Sequence, residues 1–175
     1  GLVWLGLRQQ RWLPQVSGAL LQLAAAFAFV VGADHWNDDV YFLANATGMS
    51  GLLLALGGLA SAWSCRAADR HDRALVFYLW GLVWWLGTMT LEIARFSPDR
   101  TEADALLVLA AVTGWLAAEA WRRWGGSALA LTTLVMLLAA FPLALVQVDM
   151  HQHPFAGHGG PAWAVFAVLG LRALW

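Results

Sequence analysis

Apolar and polar positions fall in long blocks rather than in short alternation. Residues 13–33, 40–64, 74–93, 103–121 and 127–148 form five nearly uncharged runs, and 162–175 forms a shorter sixth. A helix rising about 1.5 Å per residue needs roughly 20 apolar residues to cross a hydrocarbon core of about 30 Å, so each full run has the length of one span. An isolated strand would leave its amides unpaired in lipid, and the alternating ten-residue segments of a membrane barrel are absent. The pattern predicts an all-α, polytopic transmembrane helix bundle of about six spans and no strands. Neighbouring spans are antiparallel, because the connections are short.

Punctuation falls where these runs end. Pro14 fits a first helical turn, Asp72 can cap the third span, Ser97-Pro98-Asp99 interrupts the chain, and Gly125-Gly126 closes the fourth. Pro142 lies inside the fifth run and predicts a kink. The chain opens in a short apolar stretch, 1–7, and closes within an apolar run at Trp175. It is therefore expected to be one transmembrane region, 1–175, of a larger multi-span protein. Its expected partners are the lipid bilayer and the remaining helices of that parent. Leu5-Gly6-Leu7-Arg8 recurs as Leu169-Gly170-Leu171-Arg172, a short echo compatible with internal duplication.

Composition sharpens this picture. Of 175 residues, 61% are hydrophobic and 12% charged, which excludes an ordinary water-soluble domain. One cysteine, Cys65, excludes a disulfide framework. A net charge of −1, with arginine as the only strong cation, offers no surface for a nucleic acid. Arginine placement sets an orientation. Arg8, Arg11, Arg66, Arg70, Arg73, Arg122 and Arg123 fall at one end of the spans, and Arg95 and Arg100 at the other. By the positive-inside rule, loops 65–73 and 122–126 are cytoplasmic, and loops 34–39, 94–102 and 149–161 are periplasmic in a bacterial inner membrane.

Candidate chemistry concentrates in the third run. Trp84, Thr88 and Glu92 recur every fourth residue and share one helical face, with Gly81, Trp85 and Gly87 nearby. A carboxylate within a span is a functional candidate, although Arg95 at i+3 offers a simple ion pair at the rim. Glycines among indoles equally describe close helix packing, or an aromatic platform for a lipid or glycan ligand. Glu119 has Arg122 and Arg123 at i+3 and i+4, which reads as a pair at the cytoplasmic end. His153, with Asp149, His151 and His158, lies in a turn-rich outer loop whose imidazoles serve as interfacial polar groups more readily than as metal ligands. No nucleotide, flavin or thiol-redox motif is present, so no cofactor and no metal is expected.

Two resemblances bear on function. Asp34-His35-Trp36-Asn37-Asp38-Asp39 resembles the acidic first external loop of polyprenyl-phosphate-dependent membrane glycosyltransferases, which makes Asp38 and Asp39 candidate base or metal ligands. A longer one is carried by the string from Leu2 to Arg11, by Ser50-Gly51-Leu52-Leu53-Leu54-Ala55-Leu56 through Ser61-Ala62-Trp63, by Trp80 to Gly87 with Glu92-Ile93, and by His153-Pro154-Phe155-Ala156. In order and spacing these strings resemble the bacterial predicted membrane proteins catalogued as domain of unknown function 2339. That resemblance implies a many-helix array and no agreed activity, so it assigns no catalytic residue. The expected function is a transport or scaffold role in the cell envelope. The alternative is a membrane-embedded transferase acting on a lipid-linked sugar at the periplasmic face. A transferase needs Asp38 or Glu92 to face an open cavity, whereas a transporter needs polar groups continuing to mid-membrane.

Overall fold

The computed structural model describes residues 2–9, 11–32, 41–98, 100–151 and 153–175, with only the backbone of His151. Its elements are α1 (Leu2–Arg8), α2 (Trp12–Gly32), α3 (Ala46–Ala67), α4 (His71–Phe96), α5 (Glu102–Trp124), α6 (Ser127–Leu138), α7 (Ala140–His151) and α8 (Gly159–Leu174). No strand occurs among the described residues. Helices α2 to α5, and the segment Ser127–Met150 formed by α6 and α7, are long and apolar enough to cross a membrane. The chain is a multi-pass membrane protein with an all-helical fold.

Two boundaries differ from the apolar runs for identifiable reasons. The second run predicts a helix from residue 40, but α3 starts at Ala46, because Asn45 caps it and Tyr41–Asn45 is bent. Apolar character continues through Phe42 and Leu43, so hydropathy alone overruns the true start. The fifth run breaks at Ala139 into α6 and α7. Pro142 lacks an N–H and its ring collides with the carbonyl of residue i−4, Leu138, the last residue of α6. The predicted kink is an interruption at Ala139, whose backbone stays right-handed (φ −61°, ψ −20°) and whose N–H still bonds to the Val135 carbonyl at 2.9 Å.

The chain divides into two compact units, Gly1–Glu92 and Ile93–Trp175. In the first, α3 and α4 meet backbone to backbone. A Cβ added at Gly58 would lie 2.8 Å from the Gly81 Cα, and one at Gly81 would lie 2.8 Å from the Leu59 nitrogen. Gly87, by contrast, has nothing within 4 Å of its added Cβ, so of the two glycines flanking the tryptophans only Gly81 is a packing contact. Val3 of α1, Cys65 of α3 and Ala74 of α4 form a small core backed by Leu7 and Phe77.

In the second unit, α5 is the central helix, packed by α6, α7 and α8. Leu107, Ala140 and Ala162 form its core, with Val108, Leu143, Trp163 and Phe166 around them. Across both units the buried apolar residues are mostly alanines, such as Ala55, Ala62, Ala103, Ala111 and Ala118, whereas Leu20, Phe27, Leu53, Val83, Leu131 and Phe141 are exposed. Large apolar groups face outward and small ones inward. That size order suits helices surrounded by acyl chains, where burying a large side chain against a neighbour gains little over leaving it in lipid.

Candidate functional site

Among the described residues, the largest side chains sealed from the surface are Leu107, Gln147, Glu92 and Cys65. Two of these four are polar, and each anchors a separate network.

Glu92, at 0% exposure, lies in the last turns of α4 on the face it shares with Thr88 and Trp84. Its Oε2 accepts from the Leu43 backbone N–H at 2.7 Å, and the Asn45 Nδ2 donates to both carboxylate oxygens at 2.8 and 3.0 Å. Asn45 is bound on all sides. Its Nδ2 also reaches the Tyr41 carbonyl at 2.9 Å, and its Oδ1 accepts from the Gly48 N–H as the N-cap of α3. The bend before the cap is strained. Ala44 N–H donates to the Phe42 carbonyl at 2.7 Å across Leu43, whose φ of +58° is unusual for a branched side chain. Such a residue costs about 1–3 kcal/mol and persists where its surroundings hold it, as the Glu92 carboxylate does here. The carboxylate also sits at the electropositive start of α3, which favours a negative group.

One turn deeper on α4, Thr88 is 3% exposed, and its hydroxyl has no hydrogen-bond partner among the described residues. A Cβ on Gly51 would strike that hydroxyl, so the glycine makes room for it. Deeper still the stripe is aromatic. Trp84 meets Phe29 of α2 edge-on at 5.1 Å and Trp80 at 5.9 Å. Glu92, Thr88 and Trp84 are thus brought onto one buried face as their spacing predicts.

Arg95 does not join them. It is exposed, with its guanidinium 5.8 Å from the Phe96 ring, and among the described residues the hydrogen-bond partners of Glu92 are Leu43 and Asn45. Asp38 and Asp39, with the rest of the first outer loop, lie outside the described residues. His153 is exposed in the turn between α7 and α8. Among the described residues no three His, Cys, Asp or Glu side chains converge as a metal site would require.

A second network lies within the other unit and was not singled out from sequence. Gln147 of α7, at 0% exposure, donates to Asp104 Oδ1 at 2.6 Å and accepts from the Trp163 indole at 2.9 Å. It joins the first turn of α5 to α7 and α8. Asp104 is 4% exposed, and its Oδ2 has no partner among the described residues. Its only sequence signal was an acid in a first helical turn, and the residue it bonds, Gln147, lies 43 positions away, beyond any helical spacing. Glu119 Oε1 pairs with Arg122 at 2.9 Å, as expected, and also with Arg172 of α8 at 2.9 Å.

The first unit also holds a cavity of about 260 Å³ between α1, α2 and α3. Gln22 closes one end, its Nε2 donating to the Gly57 carbonyl at 3.2 Å and to the Ser61 hydroxyl at 3.0 Å. Comparison with family models, with curated proteins and with solved structures returns no match for this chain.

Proposed function

We propose that this chain is a non-enzymatic scaffold region of a multi-pass protein in a bacterial inner membrane, serving the cell envelope, with the loop orientation that the arginines imply. The family reading as domain of unknown function 2339 belongs to the same proposal and rests on the order of the four sequence strings. One observation carries the scaffold role. Glu92, the carboxylate best placed for chemistry, is fully buried and spent on the Leu43 amide and the Asn45 cap, so it sets how α3 starts against α4. A transferase carboxylate must be open to substrate, and Glu92 is fully buried with both oxygens bonded to Leu43 and Asn45. A transport path needs polarity below Thr88, where the stripe instead turns to Trp84 and Trp80.

Complementation of a chromosomal deletion, scored as envelope-stress resistance per amount of folded membrane protein, tests the proposal. Glu92→Gln is expected to complement in proportion to its folded amount. A Glu92→Gln protein present at wild-type level, equally resistant to heat in detergent, yet unable to complement would overturn the scaffold reading in favour of chemistry or transport at this carboxylate.

A further inference from the structure

We propose that the cavity between α1, α2 and α3 is a binding site for one anionic glycerophospholipid, with an acyl chain in the cavity and the phosphate at Arg8. The cavity runs from Ser64, two residues before Arg66, to Gln22 and Gly57. Gly57 and Ser64 stand seven residue steps apart on α3, so the length of the cavity is on the order of 10 Å, a slot for part of an acyl chain. Val3 and Ser61 are buried at its floor, while Leu2, Trp4 and Leu21 are exposed at its lip, which leaves it open sideways to lipid. Ser61 and Ser64 donate from their hydroxyls to the Gly57 and Ala60 carbonyls of their own helix, and Leu2, Val3, Gly18, Leu21 and Ala60 make most of the wall apolar. The polar groups gather at the inner end, where Gln22 donates to Ser61 and its Oε1 has no partner among the described residues.

Charge at the same end selects the headgroup. The Arg8 guanidinium lies 5.3 Å from the Trp4 ring that forms the lip. A ring attracts the guanidinium by its face, and the N–H donors lie in the guanidinium plane, which suits a phosphate bidentately. Arg11 is exposed beside it on the connection to α2, and Arg66 is half-buried at the end of α3. Only Asp69 and Asp72 oppose these cations and Arg70 and Arg73 along the adjoining turn. Basic pockets between membrane helices take anionic headgroups by this chemistry, and a zwitterionic lipid cancels the attraction with its own ammonium.

The site can be filled without disturbing the helices. A Cβ on Gly57 would meet only the Gln22 side chain, at 3.7 Å or beyond, which is ordinary contact. The full chain in detergent, offered equal amounts of dioleoyl-phosphatidylglycerol and dioleoyl-phosphatidylcholine, is read by native mass spectrometry. At least tenfold preference for the glycerol lipid is expected, falling to parity in Arg8→Gln, with lipid retention lost in Gly57→Leu of unchanged helix content. Should Gly57→Leu fail to fold, Ala60→Phe, at an exposed lining position, carries the same arm. Equal retention of the two lipids by the unmodified chain, or undiminished retention in the filled variant, overturns the proposal. So does displacement of the lipid by inorganic phosphate, which would make the site one for a free anion.

Discussion

Asn45 and Glu92 behave as one unit. Among the described residues every partner of the Glu92 carboxylate is an N–H donor, so the amide nitrogen of a glutamine there would face a donor and at least one bond would be lost. Asn45→Ala removes the cap of α3 and leaves the carboxylate with the Leu43 amide but without the bonds from Asn45, and each single change should cost about 1–3 kcal/mol. Because both variants disturb the Asn45–Glu92 bonds, the double mutant is expected to cost less than the two costs added. Denaturation of the four proteins by dodecyl sulfate in mixed micelles measures this, and simple additivity would show that the two residues are not coupled. The inward stripe of Trp84, Thr88 and Glu92 was readable in the sequence, because fourfold spacing defines a helical face. Its partner was not, since Asn45 is 47 positions away and looks like any polar residue in a run that hydropathy treats as continuous. Arg95, adjacent in sequence, was the more visible candidate and is not a hydrogen-bond partner of Glu92.

Helix positions were legible from run length, and the break at Ala139 from Pro142, because both follow from backbone hydrogen bonding in lipid. Which helix touches which was not, since packing of small residues leaves little periodic signal in a chain rich in alanine and glycine. Gly81 and Gly87 are indistinguishable by spacing, yet only one meets a neighbour. Gly58→Ala and Gly81→Ala, whose added methyl would press on backbone, should each destabilise the α3–α4 pair by about 1–3 kcal/mol. Gly87→Ala should remain within about 0.5 kcal/mol of the parent. Thermal unfolding in one detergent compares the three, and equal effects at 81 and 87 would contradict the close approach of α3 and α4.

For the whole molecule, the all-helical, multi-span architecture was legible and the division into two units was not, because α4 runs through the boundary with no change in composition. Orientation is open to direct measurement. In a Cys65→Ser background, single cysteines in loops 65–73 and 122–126 are expected to resist an impermeant thiol reagent in intact cells, and one in loop 149–161 to react. Labelling of the first two from outside would reverse the assignment. The inverted order of residue sizes, alanine and glycine within and leucine and phenylalanine without, has an evolutionary consequence. In a soluble domain, selection chiefly removes substitutions that hollow the interior. Here the interior has little left to lose, so drift is checked mainly where a small residue grows. The outward-facing leucines and phenylalanines can exchange among apolar types with little penalty, and descendants of this chain would hold in common the plainest letters of their sequences.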